Sequence, residues 1–433
     1  MSAPPRVIRR VRPRLCIHVT VLATVVLSGI GVEAEDYKYP YRDPYLATAT
    51  TAILNADRVS PRPKRQVVHV PGLPGRNRLP GLEGRGDLSI AVYRQRHPAP
   101  LVFILCGIGT NPYFGPATYY ANLFYQEGSH VVILPSPMTW NFALAGSRSA
   151  APGYAPEDAR DLYHAMQTTL SILRTRYAVN ITDVNFIGTS LGALEGAYVS
   201  VIDAEERRIG IGKYLLVNPP LDLGHALAKV DAWHAFAAKF GAEKSKRIVA
   251  RALAIVDSFS RDRRDDSAIF ASAAREFAGF TKEELQFLIA EDLQAGLPDL
   301  VYVTQIVQAQ NTGAEPQHQA RKRLQDAKAV SLASYLETIA LPVWRRQAAE
   351  PQADLESFLT RGSLASILHR LRGNSNLRII HNADDFLADS RSIEELKAVL
   401  GDQVTLYPYG GHLGNLWFPE NKEYALRLFK TVP

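Results

Sequence analysis

From Val67 onward, apolar residues fall into short runs punctuated by Gly and Pro, with stretches of helical spacing between them. Residues 67–70 and 88–93 predict opening strands joined by a Gly/Pro/Arg-rich connection. Leu101-Val102-Phe103-Ile104-Leu105-Cys106 is apolar throughout, the pattern of a strand buried on both faces. Residues 130–134, 184–187 and 214–217 repeat that pattern, separated by helical segments at 117–126 and from Pro156 to about Tyr177. Pro156 suits a first helical turn, and Glu157 and Asp158 there complement the helix dipole. Strands alternating with helices predict a doubly wound, mostly parallel α/β sheet, with residues 67–220 as its first part.

After residue 220 the strand pattern stops. Trp233, Phe236 and Phe240, then Ile248, Ala252, Ile255 and Phe259, recur at helical spacing, and Thr281 with Glu284 makes a capping box. Residues 221–375 therefore predict an all-helical insertion, as large as a separate domain. Its apolar positions Leu285, Phe287, Leu288 and Ile289 are expected to build its own core before they serve any lipid-like chain. The strand pattern resumes at 377–381 and 404–407, with a helix between and another at about 420–430, so residues 376–433 complete the sheet.

The N-terminus has a different character. Arg6, Arg9, Arg10, Arg12 and Arg14 precede an apolar run at 15–32, and Val32-Glu33-Ala34 supplies small residues for cleavage. Residues 1–34 thus predict a signal peptide and export to a bacterial periplasm, the alternative being an uncleaved membrane anchor. Residues 35–66, rich in Tyr, Pro and Arg, read as an arm with a short helix near 46–54 and no legible role. The formal charge of +6 belongs largely to the leader. Five of the 49 Lys+Arg and one of the 43 Asp+Glu lie there, leaving 44 against 42 and no general bias toward nucleic acid. With Cys16 in the leader, Cys106 stands alone and an internal disulfide is excluded, which suits a periplasm. No metal-ligand spacing and no phosphate-binding loop appear, so neither metal nor cofactor is expected. Nothing in the sequence sets the oligomeric state.

The chemistry centres on Asp183-Val184-Asn185-Phe186-Ile187-Gly188-Thr189-Ser190-Leu191-Gly192, an apolar strand that stops at a Gly-x-Ser-x-Gly turn and passes into a small-residue helix. Small residues are wanted on either side of a serine in so sharp a turn. Ser190 would stand exposed above the sheet, with the Leu191 N–H at a helix N-terminus facing incoming negative charge. A serine hydroxyl needs an imidazole to take its proton, and the imidazole needs a carboxylate to orient it. In open α/β sheets such groups gather at the carboxyl ends of strands. Asp384 and Asp385 follow the strand at 377–381, Asp385 being the favoured acid and Asp389 a remote third. Of eleven histidines, His225 and His234 fall in the insertion and His381 ends a strand; His412 alone follows the last strand in a glycine turn. Cys106 reads as buried packing.

Gly188-Thr189-Ser190-Leu191-Gly192, the acid after a strand and Gly410-Gly411-His412 resemble the α/β-hydrolase superfamily over residues 67–220 and 376–433. The resemblance implies Ser190 as nucleophile, Asp385 as acid and His412 as base, and a helical cap at 221–375. It also implies that the second oxyanion N–H comes from Ile108, in a loop reading Cys106-Gly107-Ile108-Gly109 where the superfamily more usually has His-Gly. The expectation is a serine hydrolase acting on a small or lipid-like carboxylic ester, able to touch a membrane through its N-terminal segment or cap. An acyltransferase, thioesterase or peptidase on the same scaffold, or a binding protein without chemistry, are the alternatives.

Overall fold

The computed structural model describes residues 36–55, 63–79, 81–108, 112–113, 115–260, 262, 264–309 and 317–430. The predicted leader at 1–34 and Gly109 of the expected oxyanion loop lie outside the described residues.

The strands are β1 (Gln66–Val70), β2 (Leu88–Tyr93), β3 (Ala99–Leu105), β4 (His130–Leu134), β5 (Ile181–Thr189), β6 (Lys213–Val217), β7 (Leu377–Asn382) and β8 (Val404–Tyr407). They form one sheet in the order β1-β2-β4-β3-β5-β6-β7-β8. The two pairings that involve β2 are antiparallel; from β4 through β8 the sheet is parallel. The helices that matter for the site are α1 (Pro44–Ala49), α2 (Pro116–Gln126), α3 (Trp140–Ala145), α4 (Ala155–Thr175), α5 (Leu191–Glu206) and α6 (Leu223–His234). The fold is thus a mostly parallel α/β sheet with a high helical content, as the alternating pattern predicts.

The uninterrupted run of β3 is explained by the two faces it serves. Leu101, Phe103 and Leu105 join the core built with α4 and α5, while Val102, Ile104 and Cys106 join the core of the opposite face. Side chains alternate across a pleated strand, so a strand covered on both sides has no polar phase.

The helical insertion occupies the interval between β6 and β7. It does not stand off as a unit. Ile248, Ile255, Phe259, Phe270 and Phe277 pack in one cluster with Val102, Ile104, Ile187 and Leu215 of the sheet and with Tyr37, Tyr39 and Ile53 of the arm. The second half of the insertion, including Leu300, Tyr335, Leu336, Trp344 and Phe358, gathers instead over Ile108, Leu191 and Tyr154. The first half thus extends the core, and the second half covers the strand ends. Among the described residues no helix is long and apolar enough to cross a membrane.

Trp417 joins these parts. It is 1% exposed and stacks on Phe270 of the insertion, ring centroids 4.2 Å apart at 7°. Trp417→Ala is expected to cost about 3–5 kcal/mol, the usual loss for a buried aromatic, and to lower the midpoint of a single urea transition. Two resolved transitions, only one of them shifted, would show the insertion to be an independent unit.

Candidate active site

Strand β5 runs directly into α5, and Ser190 alone makes the turn, at φ 55° and ψ −127°. That backbone is unfavourable for an L-residue and must be held by its surroundings. Ser190 N–H donates to Val217 O at 2.9 Å, and the N–H of Ala193 donates back to Ser190 O at 2.9 Å. The helix leaves so steeply that a β-carbon on Gly188 would lie 2.2 Å from Gly192 O, and one on Gly192 2.2 Å from Leu105 O. The spacing of the Gly-x-Ser-x-Gly motif is this steric requirement.

The neighbouring strand ends bring the remaining groups to the serine. His412, in the turn after β8, has Nε2 2.8 Å from Ser190 Oγ and Nδ1 2.9 Å from Asp385 Oδ2. Asp385, after β7, also accepts Asn218 Nδ2 at 2.7 Å and the Leu387 N–H at 3.0 Å. All three residues are buried, Ser190 included, so the serine expected to stand exposed above the sheet is instead covered by the loop after β3 and the insertion. Burial works against ionising Asp385, but the His412 ring beside it, together with His381 and the Leu387 N–H, holds the carboxyl below its ordinary value. The sequence left two adjacent acids in competition, and they face different partners. Asp384 Oδ1 accepts the Gly411 N–H at 2.8 Å, while burial pushes its carboxyl up to about 6. Asp389 caps the helix Ser390–Leu400.

The other histidines are placed elsewhere. His225 and His234 lie on α6, and buried His381 has its ring nitrogens 3.0 Å from Asn382 O and 3.2 Å from Pro219 O. Cys106 is buried, and desolvation pushes its thiol up to about 12, which suits packing rather than nucleophilic work.

Leu191 opens α5, where first-turn amides have no intrahelical acceptor. A β-carbon on Gly107 would lie 2.7 Å from Ser190 Cβ and 3.3 Å from Leu191 N, so the loop after β3 crosses directly over the serine. The next residue, Ile108, lines the same pocket as Ser190 and Leu191. The pocket holds about 730 Å³ of empty space including its mouth, and is walled mainly by aliphatic side chains such as Met138, Leu227, Val230 and Leu336. Leu285, Phe287, Leu288 and Ile289 are not among its walls; they pack in the adjoining clusters, and Leu293 is the residue of that helix that reaches the pocket.

Several supporting residues escaped the sequence reading. Asn218 ends β6 beside two prolines, and its position at a strand end was the available signal. Thr48, on the arm helix α1, accepts the His412 N–H on Oγ1 at 2.9 Å while donating to Pro44 O. Asn382 donates to Gly411 O, Asn415 donates to Asn382 Oδ1 and to Tyr37 Oη, and Tyr39 Oη donates to Gly414 O. The arm thus fixes the histidine turn from outside. No local pattern in residues 35–66 could have shown this. Among the described residues no group of three or more His, Cys, Asp or Glu is arranged to hold a metal ion.

Sheet order, a strained serine turn between β5 and α5, an acid after β7 and a histidine after β8 define an α/β-hydrolase fold. No protein-family profile and no curated protein sequence matches the chain. Solved structures overlap it loosely. Brefeldin A esterase, a bacterial homologue of human hormone-sensitive lipase, has a TM-score of 0.40 at 13% identity, covering 92% of this chain and 86% of that one. The acylaminoacyl peptidase of Pyrococcus horikoshii gives 0.38 at 10% identity, over 84% of this chain and only 40% of the peptidase. A thioesterase domain from the curacin biosynthetic pathway gives 0.37 at 13%, over 85% and 100%. The fold assignment rests on the sheet and the serine turn themselves.

The raised Asp384 carboxyl has a definite sign for stability. Its folded value of about 6 exceeds its ordinary 3.8, so the folded state holds this proton more tightly. The associated stabilisation is complete below 3.8 and is lost as pH rises through about 6. The full shift corresponds to roughly 3 kcal/mol, and partial exposure reduces this to about 1–2 kcal/mol. Relative to wild type, Asp384→Asn should gain that much as pH is raised across the window, measured by denaturant unfolding. A difference between the two proteins that does not change with pH would reject the assignment.

Proposed function

We propose that the protein is a serine hydrolase that cleaves carboxylic esters through an acyl-enzyme. The observation that carries this reading is the unbroken chain Asp385–His412–Ser190, with contacts of 2.9 and 2.8 Å, ending on a strained serine beside an apolar pocket. Ser190 Oγ attacks the ester carbonyl carbon and passes its proton to His412 Nε2. The Leu191 and Ile108 N–H groups receive the charge that forms on the carbonyl oxygen. Collapse breaks the bond to the leaving alcohol, which takes the proton from His412 and departs. Water then attacks the acyl group, His412 removes its proton, and the bond to Ser190 Oγ breaks to release the acid and restore the serine. Throughout, Asp385 holds the ring with Nδ1–H toward itself and stabilises the transient imidazolium. Asn218 and the Leu387 amide keep that carboxylate ionised.

Water as acceptor gives the hydrolase; another nucleophile entering the same pocket would make an acyltransferase, and a thioester or peptide substrate would follow the same steps. A small or lipid-like ester acted on after export by the leader fits the apolar pocket and the single remaining cysteine, with the cap or the N-terminal segment available to meet a membrane.

A fluorophosphonate probe should label wild-type protein at Ser190. Ser190→Ala should lose labelling and reduce ester turnover by roughly 10⁴–10⁶-fold, and Asp385→Asn should reduce it by about 10⁴-fold. Turnover that survives in folded Ser190→Ala would remove the serine from the mechanism.

A further inference from the structure

The pocket beside Ser190 contains two residues that an apolar acyl or alcohol chain does not require. Apart from Ser190, the described residues of its walls are apolar or glycine except for Asp158 and Glu195. Asp158 comes from the first turn of α4 and Glu195 from α5, five residues beyond the serine and so about 7.5 Å further along the helix axis. Both are buried, at 3% and 1% exposure. Asp158 Oδ2 accepts the Gly153 N–H at 2.6 Å, whereas Glu195 Oε2 has no hydrogen-bond partner among the described residues.

Buried carboxyls are normally matched by a cation or by donors. Among the described residues no ion pair reaches either acid, and the cation that binds the neighbouring Asp161 is already committed. Arg148 holds Asp161, with Nε 2.5 Å from Oδ1 and its N–H 2.8 Å from Oδ2. Desolvation, reinforced by the neighbouring acids, pushes both Asp158 and Glu195 well above the ordinary carboxyl range. Neither observation suits a pocket meant for hydrocarbon alone, since buried carboxyls facing apolar walls carry a desolvation cost that a hydrocarbon chain does nothing to offset. A missing donor explains both.

We propose that Glu195 and Asp158 form a polar subsite for a hydrogen-bond-donating group, an ammonium or a hydroxyl, carried by the substrate arm that enters the pocket beside Ser190. This names the substrate class of the hydrolase proposed above and rests on that reading. An ammonium would supply the missing counter-charge, and a hydroxyl would satisfy the bare Glu195 oxygen.

The test uses three matched sets of short-chain esters with a terminal amino group, a terminal hydroxyl or a plain methyl end, placed on the acyl side in one series and on the alcohol side in another. Binding is read by calorimetry on Ser190→Ala, so that it does not depend on turnover; fluorophosphonate labelling of wild type tests the hydrolase reading separately. One donor-bearing set should bind at least tenfold more tightly than its methyl counterpart, and adding Glu195→Leu should remove most of that ratio. Should the leucine variant fail to fold, Glu195→Gln serves: it should reduce the ratio for the amino esters more than for the hydroxy esters. Amino preference identifies the ammonium and hydroxyl preference the alcohol. Equal or tighter binding of the methyl-ended esters in both series, a donor preference that survives Glu195→Leu, or an amino-ester preference unchanged in Glu195→Gln, overturns the subsite, whether or not Ser190 labels.

Discussion

Everything at the site depends on one residue being held where its backbone would not go by itself. Ser190 sits at φ 55° because β5 must end and α5 must begin within a single residue. The strain is offset by bonds on both sides: the sheet takes the Ser190 N–H through Val217, and the helix takes its carbonyl through Ala193 and Leu194. Relaxing the turn would break the last pairing of β5 with β6 or the first turn of α5. Either would also remove the Leu191 amide from the space in front of the serine. The geometry that aims the hydroxyl at His412 therefore also sets a positive helix end beside it, and neither can be altered alone.

The histidine is positioned by different means, since a turn has no ladder to fix it. Its amide is held by Thr48, its loop carbonyl by Asn382, and the following turn by Tyr39. A β-carbon on Gly411 would lie 2.2 Å from Pro44 O, which shows how closely the arm is pressed against this loop. Aromatic packing closes the surroundings: Tyr45 stacks on Phe386, and Trp233 meets Phe386 edge-on. The arm, the last turn of the sheet and the first helix of the insertion thus form one wall around His412. Segments distant in sequence share the task of keeping Nε2 within 2.8 Å of the serine.

The sheet was legible because burial on both faces leaves a plain signature: continuous apolar runs of strand length between turn residues. The serine turn was legible because sterics impose its glycines. Residues such as Asp385 and His412 could be singled out because topology sends reactive groups to strand ends. Thr48 could not. It meets His412 across 364 residues of sequence, and a threonine in a short helix carries no mark of what its hydroxyl will accept. The packing of the insertion was hidden for a related reason. An amphipathic pattern says that a helix has an apolar face, but not whether the sheet, the arm or another helix covers it. Phe270 and Phe277 close on the sheet, while Leu332 and Leu336 close on the pocket, each from a helix of the insertion.

On the proposed reading, the buried acids bear on the chemistry as well as on recognition. An oxyanion forming at Leu191 N–H would lie within a few residues of Glu195 on the same helix, and unscreened negative charge there opposes it. Holding a proton on the pair weakens that opposition, and the upward displacement of both carboxyls acts in this direction. An ammonium bound between them, on the proposed reading, would turn the local field from hindrance to help. A donor-bearing substrate would then lower its own barrier, while an unsubstituted chain would leave the acids facing hydrocarbon. Selectivity of this kind is expressed in the transition state as well as in binding. It would come from two side chains that never touch the reacting carbonyl.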